Sequence, residues 1–247
     1  MTYLTFLIFF VLAPSFVLLG ALLLGYRRAQ VPRYSLQNHW VGTGILAAIA
    51  LIWTTPWDNV IIARGVWSYG EDRVLATIGL VPIEEYAFMV LMPLFNAAIF
   101  GCLLLRAPIM PTNWRAPQWR ARSFTLLCYG VFWLAAFIFL QAETAYYLRA
   151  ILLWFLPPLA IQAVFDPKAL SRHWCLILVA TFIPTAYFSL VDGFAIQDGI
   201  WTIHTATRTG LDLFGLPMEE ALFFFTTSLL LARGLVLWHS IFAETKS

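Results

Sequence analysis

Two pairs of adjacent carboxylates are the residues of this chain best suited to chemistry. Pro82-Ile83-Glu84-Glu85 and Pro217-Met218-Glu219-Glu220 each open a long apolar run. A carboxylate beside hydrocarbon is costly, so an acid kept there is a functional candidate. Two close carboxyls do not both ionise easily, and the one that keeps its proton is a general acid ready for use. Asp58 and Asp192 stand upstream, read as the ends of two apolar helices, and are candidates to share that proton. A plain helix start explains part of the pattern, because Pro suits the first helical position and acids suit the first turn. Capping alone does not ask for two adjacent glutamates, twice. Neighbours on a helix lie about 100° apart, so one Glu of each pair can face a cavity and the other a neighbouring helix or the headgroups. Residues 74–81 and 211–216 are largely apolar, which suggests that each helix starts earlier, kinks at its proline and buries the pair deeper.

Aromatic residues crowd the same stretches. Trp57, Trp67, Tyr69, Tyr86 and Phe88 accompany the first motif, and Trp201, Phe223, Phe224 and Phe225 the second. Such residues form the belt at a membrane interface, but ring faces also stabilise a cation. Acids beside aromatic faces suit a reaction that makes a carbocation. Arg64 and Arg208 are expected to pair with nearby acids or headgroups, and His204 has no counterpart in the first motif. No metal site is expected, since no second His or Cys stands at ligand spacing. Cys102, Cys128 and Cys175 are isolated and read as small core residues. Gly42-Thr43-Gly44-Ile45-Leu46-Ala47 imitates a dinucleotide fingerprint, but it lies in an apolar helix with no strand before it. Close helix packing is the better use of those glycines.

The elements that carry these residues follow from composition. The chain has 247 residues, of which 61% are hydrophobic and 11% charged, with a mean hydropathy of +0.80. Soluble domains carry about 25% charge, so this is a polytopic membrane protein without a separate soluble domain. The net charge of +2 is too small and scattered for nucleic acid. A spanning helix needs about 20 apolar residues, and seven such segments are predicted, at 3–25, 39–56, 82–105, 122–140, 146–164, 173–191 and 217–238. The first lacks a basic start and a cleavage site, so it reads as a helix and not a signal peptide. Eleven of the 15 basic residues fall on one side: Arg27, Arg28, Arg33, Arg106, Arg115, Arg120, Arg122, Lys168, Arg172, Arg233 and Lys246. The positive-inside rule then puts the C-terminus in the cytoplasm and the N-terminus outside. Eleven of the 13 acids, all but Asp166 and Glu244, fall on the other side, with both motifs.

The motifs are parts of a longer repeat. Asp58 and Asp192, Gly65 and Gly199, and Trp67 and Trp201 are each 134 apart. Pro82 and Pro217, Glu84 and Glu219, Glu85 and Glu220, and Phe88 and Phe223 are 135 apart. The fold class predicted is all-α, with two parallel three-helix repeats joined by a linker helix: 1–115, 116–141 and 142–247. Parallel repeats face the same side and let both acidic motifs converge on one cavity.

Two Pro-x-Glu-Glu helices, each behind an Asp…Gly-x-Trp loop, in a seven-helix chain of this size, resemble the small membrane-integral lycopene cyclases. That family includes heterodimers of two short three-helix proteins, fused single chains, and the front part of fungal bifunctional carotenoid enzymes. The chain resembles the fused form over nearly its whole length. The resemblance implies a lycopene β-cyclase: protonation of a terminal double bond, ring closure on the tertiary cation, and proton loss to a β-ring, with no cofactor. It implies Glu84, Glu85, Glu219 and Glu220 as the acid–base set, with Asp58 and Asp192 supporting. Trp57, Trp67, Tyr86, Phe88, Trp201 and Phe223 would hold the cation. The implied partners are a bilayer-dissolved carotenoid and the lipid of the cell membrane, with room for contact with other carotenoid-pathway enzymes. A hydratase that captures the same cation with water is the near alternative, and a proton-coupled transporter the distant one.

Overall fold

The computed structural model describes residues 1–30, 33–112, 114 and 117–242, the side chains at 33 and 34 excepted. Arg115, Glu244 and Lys246, which entered the orientation count, lie outside the described residues, as does the side chain of Arg33. Seven long apolar helices follow in order: α1 (Tyr3–Arg28), α2 (Arg33–Ala63), α3 (Ile83–Leu104), α4 (Trp119–Phe139), α5 (Tyr146–Phe165), α6 (Trp174–Gln197) and α7 (Met218–Phe242). Each is long and apolar enough to cross a bilayer. The all-helical polytopic architecture expected from composition is the one observed, and the protein is a multi-pass membrane protein.

α3 and α7, which carry the glutamate pairs, are the most buried helices, and α4 is peripheral, packing mainly on α5. The main core lies at the motif end, where Tyr3, Trp57, Trp67, Phe188 and Phe223 are buried together. A smaller cluster around Phe100, Ala180 and Leu235 fills the opposite end. There the helices are tied by polar side chains, as suits a medium without a hydrophobic drive between helices. His39 Nδ1 lies 3.0 Å from His239 Nε2, and the Trp238 indole donates to the Asn38 carbonyl at 2.9 Å. Gly42 lets α2 approach α7, because a Cβ there would lie 2.6 Å from the Trp238 ring. Gly44 has open space around it and plays no such part.

Several sequence expectations need correction. α2 does not stop at Pro56 but continues to Ala63, and α6 runs to Gln197. Asp58 and Asp192 therefore sit inside their helices, buried at 1% and 3% exposure, and are not solvated helix ends. Pro56 lies inside α2, and next to it the Thr55 hydroxyl donates to the Leu51 carbonyl at 2.7 Å. Arg233, counted with the C-terminal tail, lies within α7 and donates to the Tyr129 hydroxyl at 2.9 Å. Arg64 stands over the Tyr146 ring at 5.3 Å, whereas Arg208 does pair with an acid, Asp212. Cys102 and Cys128 are half-buried and Cys175 is exposed, so the cysteines are not core residues.

The helices stop and turn by the same chemistry in both motifs. Gly65 and Gly199 have φ of +66° and +70°, the left-handed region that suits glycine. Val66 N–H donates to Ile61 O and Ile200 N–H to Ala195 O, each closing a left-handed helix cap. Two short strands, β1 (Trp67–Tyr69) and β4 (Trp201–Ile203), then pair antiparallel, with Ser68 opposite Thr202. Each motif continues into a hairpin, β2 (Thr77–Ile78) with β3 (Val81–Pro82) and β5 (Asp212–Leu213) with β6 (Leu216–Pro217). Positive φ in these turns comes from Gly79 (+67°) in the first and from Phe214 (+53°) and Gly215 (+85°) in the second. The helices thus begin after Pro82 and Pro217 and do not start earlier and kink there. Each proline ends a strand, where its missing N–H costs little.

Candidate active site

Hairpin and helix start act together on each glutamate pair. The first Glu of each pair turns back onto its own loop. Glu84 Oε1 accepts from Leu75 N–H at 2.8 Å, and Glu219 Oε1 accepts from the Thr209 N–H and hydroxyl at 2.7 Å each. The second Glu, one helical step away, points the other way. Glu85 and Glu220 line one cavity with Asp192. The 100° step expected from the helix therefore separates the pairs into loop-facing and cavity-facing members.

The cavity is small and mostly aromatic. Tyr3 and Phe6 from α1, Trp67 and Tyr69 from β1, Phe88, Phe188, Trp201, Phe223 and Phe224, with the aliphatic Val191 and Ile203, complete its lining around a volume of about 40 Å³. That is room for two or three water molecules at most. Tyr3 and Tyr69 both donate their hydroxyls to Glu85 Oε2, at 2.7 and 3.2 Å. On the facing side, the Tyr147 hydroxyl and the Trp67 indole N–H lie near Glu220, and neither has a hydrogen-bond partner among the described residues. The Trp201 indole N–H donates to Asp192 Oδ1 at 3.0 Å. Asp58 is buried behind the cavity within electrostatic reach of Glu85 and Glu220, and neither of its oxygens has a hydrogen-bond partner among the described residues. Among the described residues, no basic side chain lines the cavity. Buried carboxyls gathered this closely cannot all carry charge, because each additional anion meets both lost solvation and repulsion. Tyr69, at the end of β1, has its hydroxyl pushed well above the usual tyrosine value by burial and then by the Glu85 charge, so it remains a donor.

The loops are held to the helix bundle by backbone contacts that sequence spacing does not reveal. Tyr3 N–H donates to the Arg73 carbonyl at 2.8 Å, which fixes the start of α1 against the first motif loop. Arg73 in turn donates to the Asp198 carbonyl at 3.0 Å, joining the first loop to the second. Gly70 N–H donates to Ile200 O and His204 N–H to Val66 O, closing both ends of the β1–β4 ribbon. The His204 ring lies 2.9 Å from Ser68 Oγ and belongs to this ribbon.

Of the residues singled out from sequence, Glu85, Glu220, Asp192, Trp67, Tyr69, Phe88, Trp201, Phe223 and Phe224 line the cavity together. Trp57 is one layer behind, stacked on Phe223 with ring centroids 5.5 Å apart. Tyr86 is outside, and its hydroxyl donates to the Ile78 carbonyl of the hairpin. Glu84 and Glu219 face their loops. Sequence reasoning missed Tyr3, Tyr147, Phe6 and Phe188. The one signal for them was that Tyr3 and Tyr147 each open the first helix of a half. An interfacial tyrosine at a helix start is common enough to hide such a role.

The profile of the family described as Lycopene cyclase matches residues 1–103 and 143–236. A lycopene beta-cyclase from Halobacterium salinarum is 36% identical over 203 residues, covering 82% of this chain and 84% of its own. Bifunctional lycopene cyclase/phytoene synthases from Neurospora crassa and Phycomyces blakesleeanus are 33% and 31% identical over 209 and 193 residues. Those matches cover 80% and 72% of this chain but only 34% and 31% of the fungal proteins. No solved structure matches the chain. The chain belongs to the lycopene cyclase family.

Proposed function

We propose that this member of the lycopene cyclase family closes the linear ends of lycopene into β-rings, passing through γ-carotene to β-carotene. One observation carries the reading to these atoms. Glu85 and Glu220, from motifs 135 residues apart, line one water-poor aromatic cavity.

The chemistry is an isomerisation. A proton held on a cavity carboxyl adds to the terminal double bond of the polyene and leaves a tertiary carbocation. The neighbouring internal double bond attacks that cation, forming the ring bond and moving the positive charge to the next tertiary carbon. A carboxylate then removes the proton from the carbon that formed the new bond, giving the β-ring double bond. One proton enters and one leaves, and no electrons are exchanged with an outside acceptor. Glu85 and Glu220 are the acid–base pair in this reading, with Asp192 and Asp58 sharing the proton. Trp67, Phe88, Trp201 and Phe223 offer ring faces to the cation, and the small dry volume keeps water from capturing it. Glu84 and Glu219 are positioning residues, which hold the loops that roof the cavity.

Two parallel repeats, 1–115 and 142–247 around the linker helix α4, are supported by the equal glycine caps, the two hairpins and the Ser68–Thr202 pairing at the 134-residue offset. The motif end faces outside and the C-terminus the cytoplasm of the cell membrane, on the bias of basic residues. The partners are the bilayer and its dissolved carotenoid.

The test is expression in bacteria that accumulate lycopene, followed by pigment analysis. γ-Carotene and β-carotene are expected. Unchanged lycopene beside a folded, membrane-inserted protein overturns the reading.

A further inference from the structure

The acid cavity is too small for the end that it has to close, so the substrate must reach Glu85 from elsewhere. A second, larger hollow of about 550 Å³ shares Glu85, Phe88 and Phe223 with it. This hollow is a groove between α2, α3, α5 and α7, and its lining is almost wholly apolar. It begins at the shared residues and descends along α7 to Trp238 and Ile241. From Phe223 to Trp238 is 15 residues, roughly 22 Å of helix. Leu46 of α2 and Thr227 and Gly234 of α7 lie along its course. A Cβ on Gly234 would stand 2.8 Å from Leu46, so the absence of a side chain there lets α2 and α7 come together without closing the groove.

A different groove runs over the opposite face between α1, α3 and α6, past Phe9, Val17 and Tyr187. Among the described residues, no carboxylate lines it. Only the first of the two joins an apolar, elongated space to an acid.

We infer that the groove between α2, α3, α5 and α7 holds the unreacted length of a linear polyene while its end lies against Glu85. This rests on the cyclase reading of the site and adds where the remainder of the substrate goes. The occupant is an extended hydrocarbon, because the walls offer it dispersion contacts and few polar groups that would need a partner. Depth along the groove then works as a ruler. A bulky residue near the mouth obstructs every substrate, and one placed deep obstructs only long ones.

Tryptophan scanning tests this in membranes supplied with lycopene or with an acyclic polyene that keeps the reacting end and is cut to half length. Thr227→Trp, one turn below Phe223, is expected to lower conversion of both at least tenfold. Leu46→Trp, deeper, is expected to lower lycopene conversion at least tenfold relative to its conversion of the short polyene. An active wild type together with undiminished lycopene conversion by both variants overturns the groove and leaves the cyclase reading standing. A wild type that leaves lycopene unchanged overturns the cyclase reading, and bound pigment then judges the groove. Purified wild-type protein should carry polyene absorbance, and Leu46→Trp less of it. Equal loading, or loading with phospholipid alone, overturns the groove. Leu46→Phe, a smaller obstruction, replaces Leu46→Trp if the latter fails to reach the membrane.

Discussion

Tyr3 and Glu85 stand 82 positions apart, and the tyrosine hydroxyl donates to the glutamate Oε2 across 2.7 Å inside the buried core. The contact joins the first turn of α1 to the first turn of α3. It also shows how the carboxyl is aimed. The backbone of Tyr3 is fixed by the Arg73 carbonyl, and its side chain then fixes Glu85.

Removing that hydroxyl should cost activity more than fold. A hydrogen bond to a charged group is worth about 1.5–3 kcal/mol, and about 1.4 kcal/mol is a factor of ten. Tyr3→Phe is therefore expected to slow β-ring formation roughly 10- to 100-fold at unchanged membrane abundance. Timed pigment extraction measures it. Full activity would mean that Tyr3 does not position Glu85.

The two glutamates of a pair should respond differently to one substitution. Glu85→Gln or Glu220→Gln removes a titratable group from the cavity, and conversion should fall by at least about 10²-fold, the lower end for general acid–base catalysis. Glu84→Gln keeps an oxygen that can still accept from Leu75 N–H, so most activity should survive. Glu84→Ala frees the loop and should lose both activity and thermal stability. Equal loss in Glu84→Gln and Glu85→Gln would contradict the division between cavity and loop.

The junction of the two motif loops has almost no spare space at Gly70. A Cβ there would meet the Gly199 carbonyl oxygen far inside contact distance, and backbone cannot swing away as a side chain can. Gly70→Ala should destabilise by about 1–3 kcal/mol, typical of overpacking, and open the ribbon above the cavity. Gly193→Ala, with nothing within 4 Å of its Cβ, is the control expected to behave as wild type. Thermal melts in detergent separate the two.

Tyr69 bears on the pH profile. Burial first, and the Glu85 charge second, raise its hydroxyl well above its ordinary value of about 10. A raised acid keeps its proton as the pH climbs, so Tyr69 stays a donor to Glu85 throughout the working range. Tyr69→Phe should thus lower the rate several-fold while leaving the alkaline limb of the profile where it was. A moved alkaline limb would make Tyr69 a titrating participant.

Water exclusion gives a product-level prediction. Phe188 is 1% exposed and packs against Phe88 and Phe224, with ring centroids 5.6 and 5.8 Å away. Phe188→Ala should enlarge the cavity enough to admit water near the cation. Mass spectrometry should then find a product heavier than lycopene by one water beside the cyclised carotenoids. Its absence in an active variant would show that the cation is shielded elsewhere.

Much of this protein was legible in its residues taken one after another. Apolar runs of about 20 residues marked seven helices, because a bilayer leaves a chain no other way to satisfy its backbone. The 134- and 135-residue offsets paired the two motifs, and the glycines in them became the two helix caps with positive φ. Pro56 and Asp58 hid the true end of α2, and Asp192 that of α6, because a helix continues on hydrogen bonds past a proline or an acid that interrupts its apolar run. The hairpins were hidden too, since short apolar strands and helix starts look alike in a window of six residues. What only the tertiary structure decided is which member of each pair meets the cavity. The sequence offered four equivalent glutamates. The β1–β4 ribbon and the hydrogen bonds from Leu75 and Thr209 turned Glu84 and Glu219 to the loops, while the opposite side of the first helical turn left Glu85 and Glu220 facing each other's aromatics. The physical reason is that sequence spacing fixes angles around one helix axis, whereas the meeting of two helices and of Tyr3 with Glu85 depends on contacts between chain segments far apart.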